Sequence, residues 1–157
     1  MVQLLGKKRI VKATSTICFH SDPALFGAVR RFAAQFVLLA GGSDEDAAEV
    51  ELATGEVLAN AYRHAYGKTH GPLQLDLSHD AQKVEISVHD EGVVASGRLA
   101  IPSTLAEGNE HRGLFIVGKL TDHVDIIHPR NGRGGTTVRM TKHVNKLLRL
   151  LSIVGLR

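Results

Sequence analysis

The chain has no tryptophan, two tyrosines, one cysteine and four prolines among 157 residues. A lone cysteine, Cys18, excludes an intramolecular disulfide, and its place in a β-branched segment predicts a small buried hydrophobe. So few aromatics, none interleaved with basic residues, argue against a platform on which nucleic-acid bases stack. No segment approaches the roughly 20 apolar residues that span a bilayer. The residues after Lys7, Lys8 and Arg9 alternate with Thr and Ser, unlike the apolar centre of a signal peptide. These absences predict a cytoplasmic chain with no direct nucleic-acid or membrane partner. The net charge of +3 is modest and scattered, and compatible with an acidic protein partner.

Hydrophobic residues make up 43% and charged residues 22%, the balance of an ordinary globular domain. The length predicts one domain over 1–157, with residues 1–10 and a C-terminal helix at 143–157 as extensions. Residues 11–19 read as a strand. Asp22-Pro23 opens a helix to Ala40, with Leu25, Val29, Phe32, Ala33 and Phe36 at helical spacing. Ser43, with Asp46 three residues on, starts a second helix that runs to about Tyr66. Alternating segments at 73–78 and 84–89 predict a hairpin around Asp80. The aperiodic stretch 91–112 has the character of a lid or binding loop. A third helix from Gly113 to Leu120 and a strand pair at 123–128 and 136–141 follow. This order predicts an α+β, two-layer sandwich.

Glu56 and Asn60 stand one helical turn apart on one face, about 100° from the apolar stripe of Val50, Ala53, Val57, Ala61 and Ala65. A carboxylate at the edge of a core can take a proton from an attacking hydroxyl. An amide oxygen beside it can hold Mg²⁺, a cation commonly shared with substrate phosphates. The spacing alone equally describes an exposed polar face. Three further segments point to chemistry. Asp90 ends a strand beside Gly92, where a carboxylate can accept a hydrogen bond from an exocyclic amine. His111-Arg112-Gly113-Leu114 opens a helix whose backbone N–H groups suit an anion. Gly134-Gly135-Thr136-Thr137 leads into the last strand, and one of the two hydroxyls is suited to line a base pocket.

In this order the four segments resemble the GHKL ATP-binding fold, and within it the anti-sigma factor serine/threonine kinases, the RsbW-like and SpoIIAB-like proteins. ELATGEVLANAYRHAY (51–66) is similar to that family's N box, and VHDEG (88–92) to its first glycine box. RGLFIVGKLTDHVDI (112–126) is similar to the second glycine box, and GGTTVRMTKHV (134–144) to the closing strand. The likeness runs from about residue 20 to 144. Val94 and His111 stand where the family's boxes carry further glycines.

The resemblance implies a Bergerat-type sandwich: a mixed, mainly antiparallel sheet with helices on one face. It implies ATP and Mg²⁺, with Glu56 as general base and Asn60 as the magnesium ligand. It further implies Asp90 on adenine, Gly92 supporting the pocket, Arg112, Gly113 and Leu114 at the phosphates, and Thr136 or Thr137 beside the base. His64 and Arg63 would lie near the mouth. The implied function is to sequester a sigma factor and phosphorylate an anti-anti-sigma protein of the STAS type. Arg30 and Arg31 would be on the partner surface of a homodimeric kinase. The alternatives are a non-catalytic GHKL-fold regulator with weakened or lost ATP binding, and the catalytic half of a histidine kinase. The latter is disfavoured because no helix with a phosphoacceptor histidine precedes the domain.

Overall fold

The computed structural model describes residues 12–80, 82–92, 101, 112–129 and 134–144. Alternating apolar and polar side chains, one set per face, make the strands β1 (Ala13–His20), β2 (Pro72–His79) and β3 (Lys83–Asp90). They also make β4 (His123–Ile127) and β5 (Thr136–His143). The sheet order is β1-β2-β3-β5-β4 and every pairing is antiparallel. The parallel component of the expected mixed sheet is therefore absent among the described strands.

The hairpin between β2 and β3 turns on Asp80. Its carboxylate accepts the N–H groups of Gln82 at 2.9 Å and Lys83 at 3.0 Å. These bonds, Gln82 foremost, hold the Asp80 carboxyl below the usual carboxylate range.

Helix α1 (Pro23–Leu39) starts as the dipeptide predicts: Asp22 caps it by accepting the Ala24 N–H at 2.9 Å, and proline occupies the first turn. Helix α2 (Asp44–Asn60) begins with a reciprocal capping box. Ser43 Oγ accepts from the Asp46 N–H, and the Asp46 carboxylate accepts from the Ser43 N–H. α-Helical winding stops at Asn60. Residues Ala61–Ala65 form a π-turn, with the Tyr66 N–H reaching the Ala61 carbonyl at 3.2 Å, before Gly67 ends it at φ +56°. Helix α3 (Arg112–Leu120) lies across α2.

The helices cover one face of the sheet. Leu73, Leu75 and Leu77, Val84, Ile86 and Val88, and Val138 and Met140 point inward from β2, β3 and β5. They join Val50, Ala53, Val57 and Leu58 of α2, Val29, Ala33, Phe36 and Val37 of α1, and Val117 of α3. Each large aliphatic side chain buried in this cluster contributes about 1.5–3 kcal/mol.

Three expectations change. Leu25 and Phe32 remain 42% and 41% exposed, because they sit about 100° around α1 from the centre of the face that meets α2 and the sheet. Cys18 points to the opposite, solvent-facing side of β1 and is exposed, so it is not a core residue. His143 belongs to β5 and not to a terminal helix; the remainder of that predicted helix lies outside the described residues. So do residues 1–10, most of the 91–112 loop, Val94 and His111.

Lys142 occupies an inward position on β5 and is 1% exposed. Its ammonium donates to the Leu120 carbonyl at 3.1 Å and pairs with the Glu49 carboxylate, with Asp46 at 3.8 Å. A charge so deeply desolvated requires this much compensation. It ties the last strand to the first turns of α2 and the end of α3.

Candidate functional site

The apolar stripe of α2 rolls the helix so that Glu56 and Asn60 are half-buried at the rim of the core. The first turn of α3 closes over them. Gly113 is buried directly against the pair: a Cβ built there would stand 2.7 Å from Glu56 Oε2 and 3.3 Å from both polar atoms of the Asn60 amide. Only a residue without a side chain lets the α3 backbone come this near. Arg112 beside it is exposed, whereas Leu114 is buried and anchors the helix in the core. Asn60 Oδ1 accepts a hydrogen bond from Arg63 Nη2 at 2.9 Å and keeps a second lone pair. His64 is exposed in the π-turn.

A second group forms at the ends of β3 and β5. Asp90 faces inward and is 7% exposed. Its carboxylate accepts the Gly92 N–H at 3.0 Å and the Thr136 N–H from the strand alongside. Burial raises its pKa above the ordinary 3.8; the two N–H donors and the imidazoles of His89 and His128 oppose that rise. Thr136, directly across from Asp90, is buried.

Thr137 does not share a face of the sheet with Asp90 and Thr136. The strand's period of two turns it to the other face, where its hydroxyl meets His89 Nδ1 at 2.9 Å. Gly135, at φ +115°, presses its α-carbon against the Asp90 carbonyl, a conformation and a proximity that side chains resist.

Backbone contacts link the two groups. A Cβ on Gly92 would lie 2.4 Å from the Ala65 carbonyl oxygen, so the chain leaving β3 rests on the π-turn that follows Asn60. The Tyr66 hydroxyl accepts the Glu91 N–H at 2.8 Å and donates to the Pro72 carbonyl. Burial, more than any other cause, raises the Tyr66 pKa above its ordinary value.

Residues 19–142 match the family described as the histidine kinase-like ATPase domain. The chain belongs to that family. Among curated proteins none matches significantly. The RsbU and RsbW domains of a Mycobacterium tuberculosis protein superpose with a TM-score of 0.60 at 21% identity, covering 83% of this chain and 32% of that one. The histidine kinase domain of a blue-light activated histidine kinase from Erythrobacter litoralis gives 0.53 at 22%, covering 81% and 64%. At such identities the likeness is one of fold, and this chain spans a third and under two thirds of their lengths. No described helix is long and apolar enough to cross a membrane.

The side chains fit the nucleotide that a histidine kinase-like ATPase domain implies. A carboxylate and an amide oxygen stand at the start of a helix whose second α-carbon is bare, and a buried carboxylate stands apart from them, at the strand ends. Of the partner-surface candidates, Arg31 faces outward. Arg30 instead lies along α2, paired with Glu51 at 3.5 Å and close to Gly55, so it is already engaged within the fold.

Sequence reasoning did not single out Tyr66, although it fell inside the N-box segment. His128 belongs to none of the four motif segments. It lies one residue beyond β4, its Nδ1 3.4 Å from Thr136 Oγ1. The register that brings them together is a property of the sheet and has no local signature.

Proposed function

We propose that this chain is an anti-sigma factor with ATP- and Mg²⁺-dependent serine/threonine kinase activity. It sequesters a sigma factor and phosphorylates a STAS-type anti-anti-sigma antagonist, working as a homodimer. The observation that carries the catalytic part is the bare Gly113 α-carbon against Glu56 and Asn60. The regulatory part rests on the resemblance of the four motifs to the anti-sigma kinases, and the fold likeness to an RsbW domain supports it.

When bound, ATP supplies the phosphoryl group and Mg²⁺ offsets its charge. Glu56 would orient the partner's serine or threonine hydroxyl and take up the proton that hydroxyl gives up when the phosphoryl group passes to it and ADP departs. Asn60 would offer its free oxygen lone pair to the metal, and the backbone N–H groups of Arg112, Gly113 and Leu114 would be available to the phosphates. Asp90 would accept from the adenine amine, the N–H groups of Gly92 and Thr136 fixing the carboxylate's orientation.

Calorimetry with and without Mg²⁺ tests the site: wild type should bind ATP more tightly with the metal, and Asn60→Ala should lose that difference. Labelled ATP with a candidate antagonist tests the chemistry. Glu56→Ala should abolish transfer while retaining ATP; normal transfer by that variant would refute the assigned role.

One contact favours a second reading, a non-catalytic protein-binding regulator. Arg63 already engages the oxygen assigned to the metal. Such a protein would retain sigma-factor binding yet show no magnesium dependence in the calorimetry above.

A further inference from the structure

Beside Asp90 stands a side chain with an unmet bond. His128 Nε2 is shielded from solvent and has no hydrogen-bond partner among the described residues. Its other nitrogen, Nδ1, lies 3.4 Å from the hydroxyl of Thr136, which is itself the cross-strand neighbour of Asp90. The imidazole lies within electrostatic reach of the Asp90 carboxylate. Buried polar atoms normally find partners, and an orphan beside a binding group marks a place where a ligand completes the set.

The polarity of the two groups defines what fits. Asp90 can only accept when ionised, so it takes an N–H. When the Thr136 hydroxyl donates to Nδ1, the imidazole carries its proton on Nε2 and donates from there. An acceptor and a donor side by side match the edge of adenine, where an exocyclic amine stands between ring nitrogens N1 and N7. Guanine would turn a carbonyl oxygen toward the carboxylate and an N1–H toward the imidazole.

We infer that His128 reads the base: its Nε2–H donates to a ring nitrogen flanking the adenine amine that Asp90 holds, with Thr136 setting the tautomer. This inference rests on the nucleotide reading of the site and deepens it by assigning the discrimination between adenine and guanine to a residue outside the four motif segments.

The test is a set of dissociation constants for ATP, 1-deaza-ATP and 7-deaza-ATP with wild type, His128→Phe, His128→Gln and Asp90→Asn. Wild type should bind one of the two analogues about 3–10-fold more weakly than ATP, the worth of one neutral hydrogen bond. His128→Phe should lose the same factor on ATP and show no further loss with that analogue. His128→Gln, which keeps an N–H donor, should recover part of the affinity. The analogue comparison on wild type stands even where a variant folds poorly.

Equal binding of all three nucleotides by wild type overturns the inference, as does an unchanged analogue penalty in His128→Phe. Loss of ATP by Asp90→Asn alongside undiminished binding by His128→Phe removes this inference and leaves the nucleotide site standing. A wild-type chain that binds no ATP removes both.

Discussion

Gly113 and Glu56 stand so close that one methyl group on the glycine would sit 2.7 Å from the carboxylate oxygen. The obstacle is the flexible end of a side chain, and helical φ and ψ suit alanine better than glycine by about 1 kcal/mol. Gly113→Ala should therefore leave the melting temperature unchanged or slightly higher. The displaced carboxylate should cut phosphoryl transfer by about tenfold or more, in line with the sensitivity of catalysis to small misplacements. Thermal melts beside a transfer assay check both halves; full activity would show that Glu56 does not act from this position.

Gly92→Ala should behave oppositely. Its added methyl would meet the Ala65 carbonyl oxygen at 2.4 Å and carbonyl carbon at 2.7 Å, backbone atoms that cannot rotate aside. Overpacking of this kind costs about 1–3 kcal/mol. Urea unfolding should show that loss. ATP affinity should fall with it, since the same residue donates its N–H to Asp90.

Asp90 carries a pH signature. Its folded pKa lies above the ordinary 3.8, chiefly because burial penalises the charged carboxylate. Between those two values the folded chain keeps a proton that the unfolded chain has released. Stability from this group therefore falls as pH rises through the window and stays low above it. Asp90→Asn should abolish that decline and make the ligand-free protein at least as stable at neutral pH, while weakening ATP binding. Denaturation at several pH values separates the two effects. A variant less stable at every pH would contradict the assignment.

Lys142 offers a test of the scaffold. Lys142→Met leaves the carboxylates of Glu49 and Asp46 without their shared cation, an omission that costs about 3 kcal/mol, the low end for breaking a buried pair. The low end applies because the Glu49 side chain is 25% exposed and can turn to water. Adding Glu49→Leu to Lys142→Met should recover most of the loss in urea denaturation. No recovery would mean that the aliphatic stem of the lysine, and not its charge, holds the three elements together.

Much of this fold was legible because its signals are local. Asp22-Pro23 and Ser43 with Asp46 announce helix starts through caps that the structure contains. Alternation over 73–78 and 84–89 announces a hairpin. The four-residue step from Glu56 to Asn60 places both on one rim because an α-helix has a fixed pitch.

What was not legible depends on partners distant in sequence. Whether Thr136 or Thr137 faces inward is decided by pairing with Asp90 and His89, and nothing in the dipeptide expresses it. Cys18 sits among β-branched neighbours that suit either side of a strand, so its exposure follows from which side the helices cover. Arg30 looks like a free surface cation until Glu51, on another helix, lies 3.5 Å away.

The five-residue turn after Asn60 has a consequence for how this chain tolerates length change. Its wider winding delivers the Tyr66 phenol to the points where β2 begins and β3 ends, with the ring filling the space beside Gly71. Its five residues span nearly the arc that four would cover at ordinary pitch, so removing one from 61–65 should leave the phenol close to its place. Removing a second would swing it about 100° around the axis, and two strand ends would lose their common tether. The stretch between the amide at position 60 and the ring at position 66 thus holds one residue in reserve, and no more.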